Sequence, residues 1–269
     1  MALTRRQRRT AIRGTQYGVL VVVVLLLAFT ANWRDIQHGF FDLDAARQLF
    51  PDVLSVALVN TVLYTVKGFA FGLVLGLILA LMRLSSVPPY RWIATGYIEF
   101  FRGVPALLVF LAFGFGVPIA FNIRFTTGST VVVALGLVGA AYMAETIRAG
   151  IQAVPKGQME AARSLGMSQF RAMVWIIIPQ AFRIVLPPLT NELILLAKDS
   201  SLIYLLGLTG SEYELTKFGR DAMNTVQSMT PLIVAGLCYL IITIPLSYLS
   251  RYLERRTSGE SKQGLEVMA

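Results

Sequence analysis

The sequence predicts an all-α integral membrane protein with about six transmembrane helices. Three observations carry that reading. Of 269 residues, 55% are hydrophobic and only 14% charged, where soluble domains carry roughly 25% charge. Mean hydropathy is +0.64. Apolar stretches recur at about 17–33, 54–82, 92–121, 129–150, 174–206 and 231–250, and a helix needs about 20 apolar residues to cross a bilayer.

The first stretch follows a basic start, 1-MALTRRQRRTAIRG-14. Small residues after it (28-AFTA-31) give it the outline of a signal peptide. The full apolar length from Tyr17 to Trp33 fits a retained span better. Segment 34–52 is polar and carries Asp35, Asp42, Asp44 and Asp52. Residues 1–52 thus read as a basic terminus, a first span and an outer loop.

In the second stretch Thr61, Thr65, Gly68, Gly72, Gly76 and Ala80 fall on one helical face. Gly68, Gly72 and Gly76 form GxxxGxxxG, which lets a neighbouring helix approach closely. The partner of that face, in this chain or another, is open. Lys67 lies in the same span and is read as holding a buried partner or reaching toward the interface.

The third stretch is interrupted by 102-RGVP-105. Proline removes a backbone donor and turns the residue before it away from helix. A broken helix at membrane depth must line protein or a water-filled cavity. Glu99 and Arg102 are three apart and placed to pair, as are Glu145 and Arg148 in the fourth stretch. The fifth stretch is expected to break at Pro179 and again at 187-PP-188, and it carries Asn191, Glu192, Lys198 and Asp199. An ionisable group at the centre of a span costs about 2.5–3.5 kcal/mol on insertion scales. Such groups are kept for pairing, folding or a substrate path. Arg102, Glu145, Asn191, Lys198 and Asp199 are the path candidates; for Arg102 and Glu145 structural pairing stands beside that role.

Between the fourth and fifth stretches lies 155-PKGQMEAARSLGMSQFRAMVWIIIP-179. A plain connection needs only a few residues. Pro155 and Gly157 are read as ending the preceding span, with a short helix over about 158–165. Glu160 suits its first turn, and Ala161 and Ala162 favour helix while leaving room for another surface. Gly166 is placed to stop the helix in a left-handed conformation, and Ser168 to cap the next one. The result is a rigid knob lying off the membrane core.

Lys and Arg set the orientation. With the N-terminus inside, fifteen of the 24 basic residues fall on inner segments, five on outer ones and four within spans. Both termini are then cytoplasmic, and the knob faces the cytoplasm. The polar end beyond Arg251 shows no apolar periodicity, and 257–269 read as a cytoplasmic tail.

The segment from Glu160 to Pro179 resembles the EAA loop of ABC importer permeases: Glu160, Ala161, Ala162, Gly166, Ile176 and Pro179 stand at its places, and Ile178 stands where leucine is usual. The stretches 60-NT-61, 97-YIEFFRGVP-105, 142-YMAETIRAGIQAVPKGQ-158, 179-PQAFRIVLPPLTN-191 and 197-AKDSSL-202 resemble the polar-amino-acid subfamily, over about residues 53–256. The resemblance implies a type I ABC importer permease fold, a five-helix core here with one extra N-terminal span, in a bacterial cytoplasmic (inner) membrane. It implies a second permease subunit, identical or related, two cytoplasmic ATPase subunits and an external amino-acid-binding protein. Gly157, Glu160, Ala161, Ala162 and Gly166 would form the coupling helix that docks on the ATPase, and ATP and Mg would be bound there.

The residues of this chain agree with that division of labour. No GxxxxGK[ST] occurs, and Gly-Lys is absent altogether. One cysteine, Cys238, and one histidine, His38, exclude an internal disulfide and any Cys-cluster or multi-histidine metal site. No cofactor of its own and no nucleic-acid partner is expected. Three rival readings remain: a gradient-driven secondary amino acid transporter, which leaves the EAA segment unexplained; an intramembrane enzyme, for which no nucleophile–base or metal set is present; and a membrane scaffold without transport.

Overall fold

The computed structural model describes residues 5–122, 126–206 and 212–266; for 5–11, 127 and 258–266 it describes the backbone alone. The described residues are helical, without strands. Five helices are long and apolar enough to span a membrane, and a bent pair makes a sixth.

Helix α1 (Arg5–Thr30) contains the first candidate span, Ile12–Thr30, and none of that span is buried against the rest of the chain. The segment after it holds two short helices, α2 (Trp33–Phe40) and α3 (Leu43–Gln48), capped by the Asn32 and Asp42 side chains. Both are pinned to the far end of the chain. Met229 N–H donates to the Gly39 carbonyl (2.7 Å), and Asp42 N–H to Thr230 Oγ1 (3.0 Å).

A π turn over Val53–Leu58 leads into α4 (Val59–Leu84). The glycine face of α4 meets α8 (Thr127–Ala153), so its partner is within the chain. A Cβ added at Gly68 would lie 2.8 Å from Leu135 Cβ, one at Gly72 3.0 Å from the Gly136 carbonyl oxygen, and one at Gly76 3.0 Å from that of Ala140. Lipid tails are as apolar as leucine, so this close contact, rather than escape from water, holds the pair. The N-terminal end of α4 anchors the segment before α12 (Leu215–Val226). Asn60 donates to the Tyr213 carbonyl (3.0 Å), Tyr64 to the Glu212 carbonyl (2.9 Å), and Thr61 Oγ1 accepts from Leu215 N–H (3.1 Å).

The expected interruption at 102–105 is a sharp corner. Helix α5 (Pro88–Gly103) meets the run of α6 (Ala106–Leu111), a π turn at Ala112–Gly116 and α7 (Val117–Phe121) at 104°. The Glu99–Arg102 pair is not formed: no ion pair joins them among the described residues, and the Arg102 guanidinium lies 5.7 Å over the Tyr142 ring. Cation–π contact off the corner takes the place of the helix-surface pair.

The fifth stretch does not break where its prolines stand. After α9 (Lys156–Ser164) and α10 (Gln169–Ala172), a π turn over Met173–Ile177 runs into α11 (Ile178–Asp199), which continues through Pro187 and Pro188 and ends in a 3₁₀ turn, Ser200–Leu206. Pro179 falls within the first two positions of α11, next to a locally widened turn that spares the clash of its ring with the carbonyl four residues back. Pro187 deprives the Arg183 carbonyl of its helical donor, and the Thr257 hydroxyl reaches that oxygen at 3.4 Å. Hydroxyls from neighbouring helices commonly satisfy such freed groups.

Thr257 belongs to α13 (Thr230–Glu266), which packs along α11. It contains the last candidate span, within Thr230–Thr257. The polar end beyond Arg251, where the sequence shows no apolar periodicity, is helical in its backbone to Glu266; 267–269 lie outside the described residues. Cys238 is a buried member of the apolar cluster joining α13 to Val53, Ala57 and Leu215.

Candidate functional site

Two places carry the expected chemistry. The first is the α9 knob. Helix α8 stops at Ala153 and Pro155 precedes α9, so Gly157 lies inside the first turn of α9 and does not end the preceding span. The far end closes as expected. Gly166 has φ +83°, its N–H donates to the Arg163 carbonyl (3.0 Å), and Met167 N–H reaches the Ala162 carbonyl (3.1 Å). This is the Schellman pattern, and it satisfies carbonyls that a helix end would leave bare. Ser168 Oγ then accepts from Arg171 N–H at 3.3 Å and starts α10.

Gly157, Glu160, Ala161 and Gly166 are exposed, while Ala162 is only 1% exposed. Ala162 is therefore part of the seat of α9 on its own chain and presents no side chain to a partner. The rest of the seat is apolar: Met159 packs on the cluster of Val154, Ile177 and Ala181. Gln180 Nε2 also reaches Gln158 Oε1 at 3.4 Å, tying α9 to α11. Apolar side chains stand out around the knob, with Leu165 84% and Phe170 77% exposed.

The second place is a cleft of about 230 Å³ inside the corner between α5 and α6. Val104 and Ala106 flank it from the corner, Gly139 and Tyr142 from α8, and Glu192 and Asp199 from α11. The Arg102 guanidinium stands beside it, 5.7 Å over the Tyr142 ring. The cleft thus combines two acids, one phenol and a cation at its rim, set on apolar walls. Such a set offers partners to both ends of a zwitterion.

The five path candidates separate. Asp199 lines the cleft; Arg102 is exposed and does not line it, but its guanidinium lies over the ring of Tyr142, which does. Lys198 is exposed and does not line the cleft. Asn191 accepts from Ser250 Oγ (3.0 Å) and joins α11 to α13. Glu145 is held between two arginines: Arg148 at 2.8 Å, as expected, and Arg83 from the end of α4. Its carboxylate fastens α4 to α8 rather than lining the cleft. Glu192 was not among the expected path residues, although it was visible: Glu192 and Asp199 are seven apart, two turns, and so share a face.

Among the described residues no group of three or more His, Cys, Asp or Glu is placed to hold a metal ion.

Comparison with known proteins gives one consistent result. The family profile of the binding-protein-dependent transport system inner membrane component matches residues 72–259. The probable glutamine ABC transporter permease protein GlnM of Bacillus subtilis is 42% identical over 197 residues, covering 73% of this chain and 89% of that one. The arginine transport system permease protein ArtQ of the same organism is 36% identical over 215 residues, covering 80% and 96%. The glutamate/aspartate import permease protein GltK of Escherichia coli is 37% identical over 211 residues, covering 75% and 92%. A crystal structure of an amino acid ABC transporter with histidines superposes with a TM-score of 0.73 at 36% identity, covering 80% of this chain and 98% of that chain.

Proposed function

The chain belongs to the binding-protein-dependent transport system inner membrane components, and on that premise we propose that it is the permease subunit of an ATP-driven importer that passes a polar or charged amino acid across the bacterial inner membrane. It is a multi-pass transport subunit, and the ATP chemistry, with its Mg, belongs to a separate ATPase. Its expected partners are two such ATPase subunits on the cytoplasmic side, a second permease subunit, identical or related, and an external binding protein that delivers the amino acid. Both termini would face the cytoplasm, a reading supported by the excess of Lys and Arg on the segments this orientation places inside.

The observation that carries this reading is α9. It is a short helix seated by Ala162 and Met159, closed by Gly166, and exposed at Gly157, Glu160 and Ala161. A knob held this firmly and left bare on one side suits docking into a groove. The cleft of Tyr142, Glu192 and Asp199, with Arg102 over the Tyr142 ring, would lie on the substrate path. Closure of the ATPase pair would move α9, and α11 would carry the motion to the cleft.

The test is ATPase activity of this chain purified with its ATPase in lipid, with and without a binding protein loaded with single amino acids. Stimulation by one loaded binding protein supports the reading and identifies the substrate. Uptake by this chain alone, driven by an ion gradient and indifferent to ATP, would overturn it.

A further inference from the structure

We propose that the cleft inside the α5–α6 corner selects an amino acid with a long cationic side chain, of the lysine or arginine kind. This rests on the reading of the chain as an amino acid permease and adds the charge class of what it passes. Two carboxylates line the cleft, Glu192 and Asp199, and among the described residues no basic side chain does. Both are half-buried, and among the described residues neither forms an ion pair. Arg102 stands beside the cleft, its guanidinium 5.7 Å over the ring of Tyr142, which lines it.

The charges do not balance for a neutral amino acid. Every amino acid brings an α-carboxylate and an α-ammonium. Arg102 offers a partner to the first, and one of the two acids offers a partner to the second. The other acid is then left over. A carboxylate that is part-buried within a span and has no partner gives up water without return. A cation on the side chain of the substrate supplies that partner. With Glu192, Asp199 and Arg102 ionised, the site carries one net negative charge. A substrate with one net positive charge cancels it, a neutral one leaves it, and an anionic one adds to it.

The spacing and the walls add length to the requirement. Glu192 and Asp199 lie two turns apart on one face of α11, about 10 Å along its axis. A ligand that touches both carries its two cations at the ends of a long side chain. Val138, Leu195 and Leu196 give the cleft apolar walls, which cover the methylene stem behind such a charge. The volume of about 230 Å³ lies below the roughly 300–1,000 Å³ of sites for drug-sized ligands and suits one small molecule.

The experiment uses the full chain in lipid nanodiscs without binding protein or ATPase, so that it reads the cleft and not the energy source. Binding of radiolabelled L-arginine is measured and competed with L-lysine, L-citrulline and L-glutamate. Citrulline keeps the length of arginine and lacks its charge. A hydrogen bond between charged groups corresponds to about ten- to a hundredfold in affinity. L-Arginine and L-lysine should therefore bind about tenfold or more tighter than L-citrulline, with L-glutamate weakest. Of Glu192→Gln and Asp199→Asn, the variant that loses the partner of the α-ammonium should weaken arginine and citrulline alike. The other should weaken arginine about tenfold or more and leave citrulline unchanged. Asp221→Asn, on α12 outside the cleft, should change nothing. Citrulline binding as tightly as arginine, an arginine-to-citrulline ratio that neither variant moves, or no binding of arginine at all would each overturn the proposal. Uptake indifferent to ATP would overturn the importer reading and leave this preference standing, so the two failures are told apart.

Discussion

Glu145 bonds to Arg148 one turn along α8 and to Arg83 at the end of α4, and the three side chains are 19%, 27% and 23% exposed. Removing the carboxylate leaves two facing cations without their counter-ion. Glu145→Gln should lower stability by roughly 1–3 kcal/mol, less than for a fully buried pair because water still reaches the arginines. Thermal unfolding in detergent measures this, and Arg83→Gln/Glu145→Gln should cost less than the sum of the single variants. Glu214 is an acid of the other kind. It is 0% exposed, caps α12 through Thr216 and Lys217 N–H at 2.6 and 2.7 Å, and accepts from the Tyr239 hydroxyl at 2.8 Å. Burial pushes its carboxyl up from 4.5 to about 7, and the hydrogen bonds from Thr216, Lys217 and Tyr239 only partly oppose this. A raised carboxyl stabilises the fold below its unfolded value and loses that contribution as pH rises through about 7. Stability should therefore fall between pH 5 and pH 8 by roughly 3 kcal/mol at most. Glu214→Gln should flatten the slope, and the same melting curves at each pH decide it.

Helix α4 and α8 meet glycine to backbone, so the element predicts its own tolerance. Gly72→Ala places a methyl 3.0 Å from the Gly136 carbonyl oxygen and should destabilise by roughly 1–3 kcal/mol. Gly96 in α5 has nothing within 4 Å of an added Cβ, and Gly96→Ala should be neutral or stabilising by up to about 1 kcal/mol. Melting temperatures of the two variants test the contrast. Elements of this sort were legible in the sequence. The glycine face, the corner at 102–105, and the Gly166 stop with its Ser168 cap each depend on residues within a few positions. What was not legible depends on distant partners. Pro187 and Pro188 read locally as a break, yet the helix runs on, packed along α13, whose Thr257 hydroxyl, 74 positions away, lies 3.4 Å from the carbonyl that Pro187 frees. Ala162 reads locally as half of a bare alanine pair, yet the apolar patch under α9 turns it inward. Arg83 and Glu145 are 62 positions apart, and only the α4–α8 packing brings them together. Glu192 is the exception, since its seven-residue spacing from Asp199 already placed both on one face.

At the scale of the molecule the knob and the acidic cleft are joined by one helix. Gln180, which touches α9, and Glu192, which lines the cleft, are twelve residues apart on α11; at 1.5 Å per residue that is about 18 Å, and Asp199 is about 28 Å away. A rigid element of that length transmits displacement between its ends, so failure at either end should have its own signature. Ala161→Arg adds bulk and charge to the exposed side of α9 and leaves its seat intact. It should keep the melting temperature of the permease, weaken capture of the ATPase, and abolish both stimulated ATP hydrolysis and uptake. Ala162→Arg forces charge into the seat and should lower the melting temperature as well. Glu192→Gln and Asp199→Asn leave α9 untouched. They should preserve ATPase capture and its stimulation by a loaded binding protein, while uptake falls about tenfold or more as the cleft loses a charge that the passing amino acid meets. Proteoliposomes with ATP inside or outside measure both quantities on one preparation. If Glu192→Gln and Asp199→Asn each left uptake and substrate preference unchanged, the cleft would lie off the path. If Ala161→Arg kept full stimulation and uptake, α9 would not be the docking surface. Because the two ends fail in different observables, the loss of one role cannot be mistaken for the loss of the other.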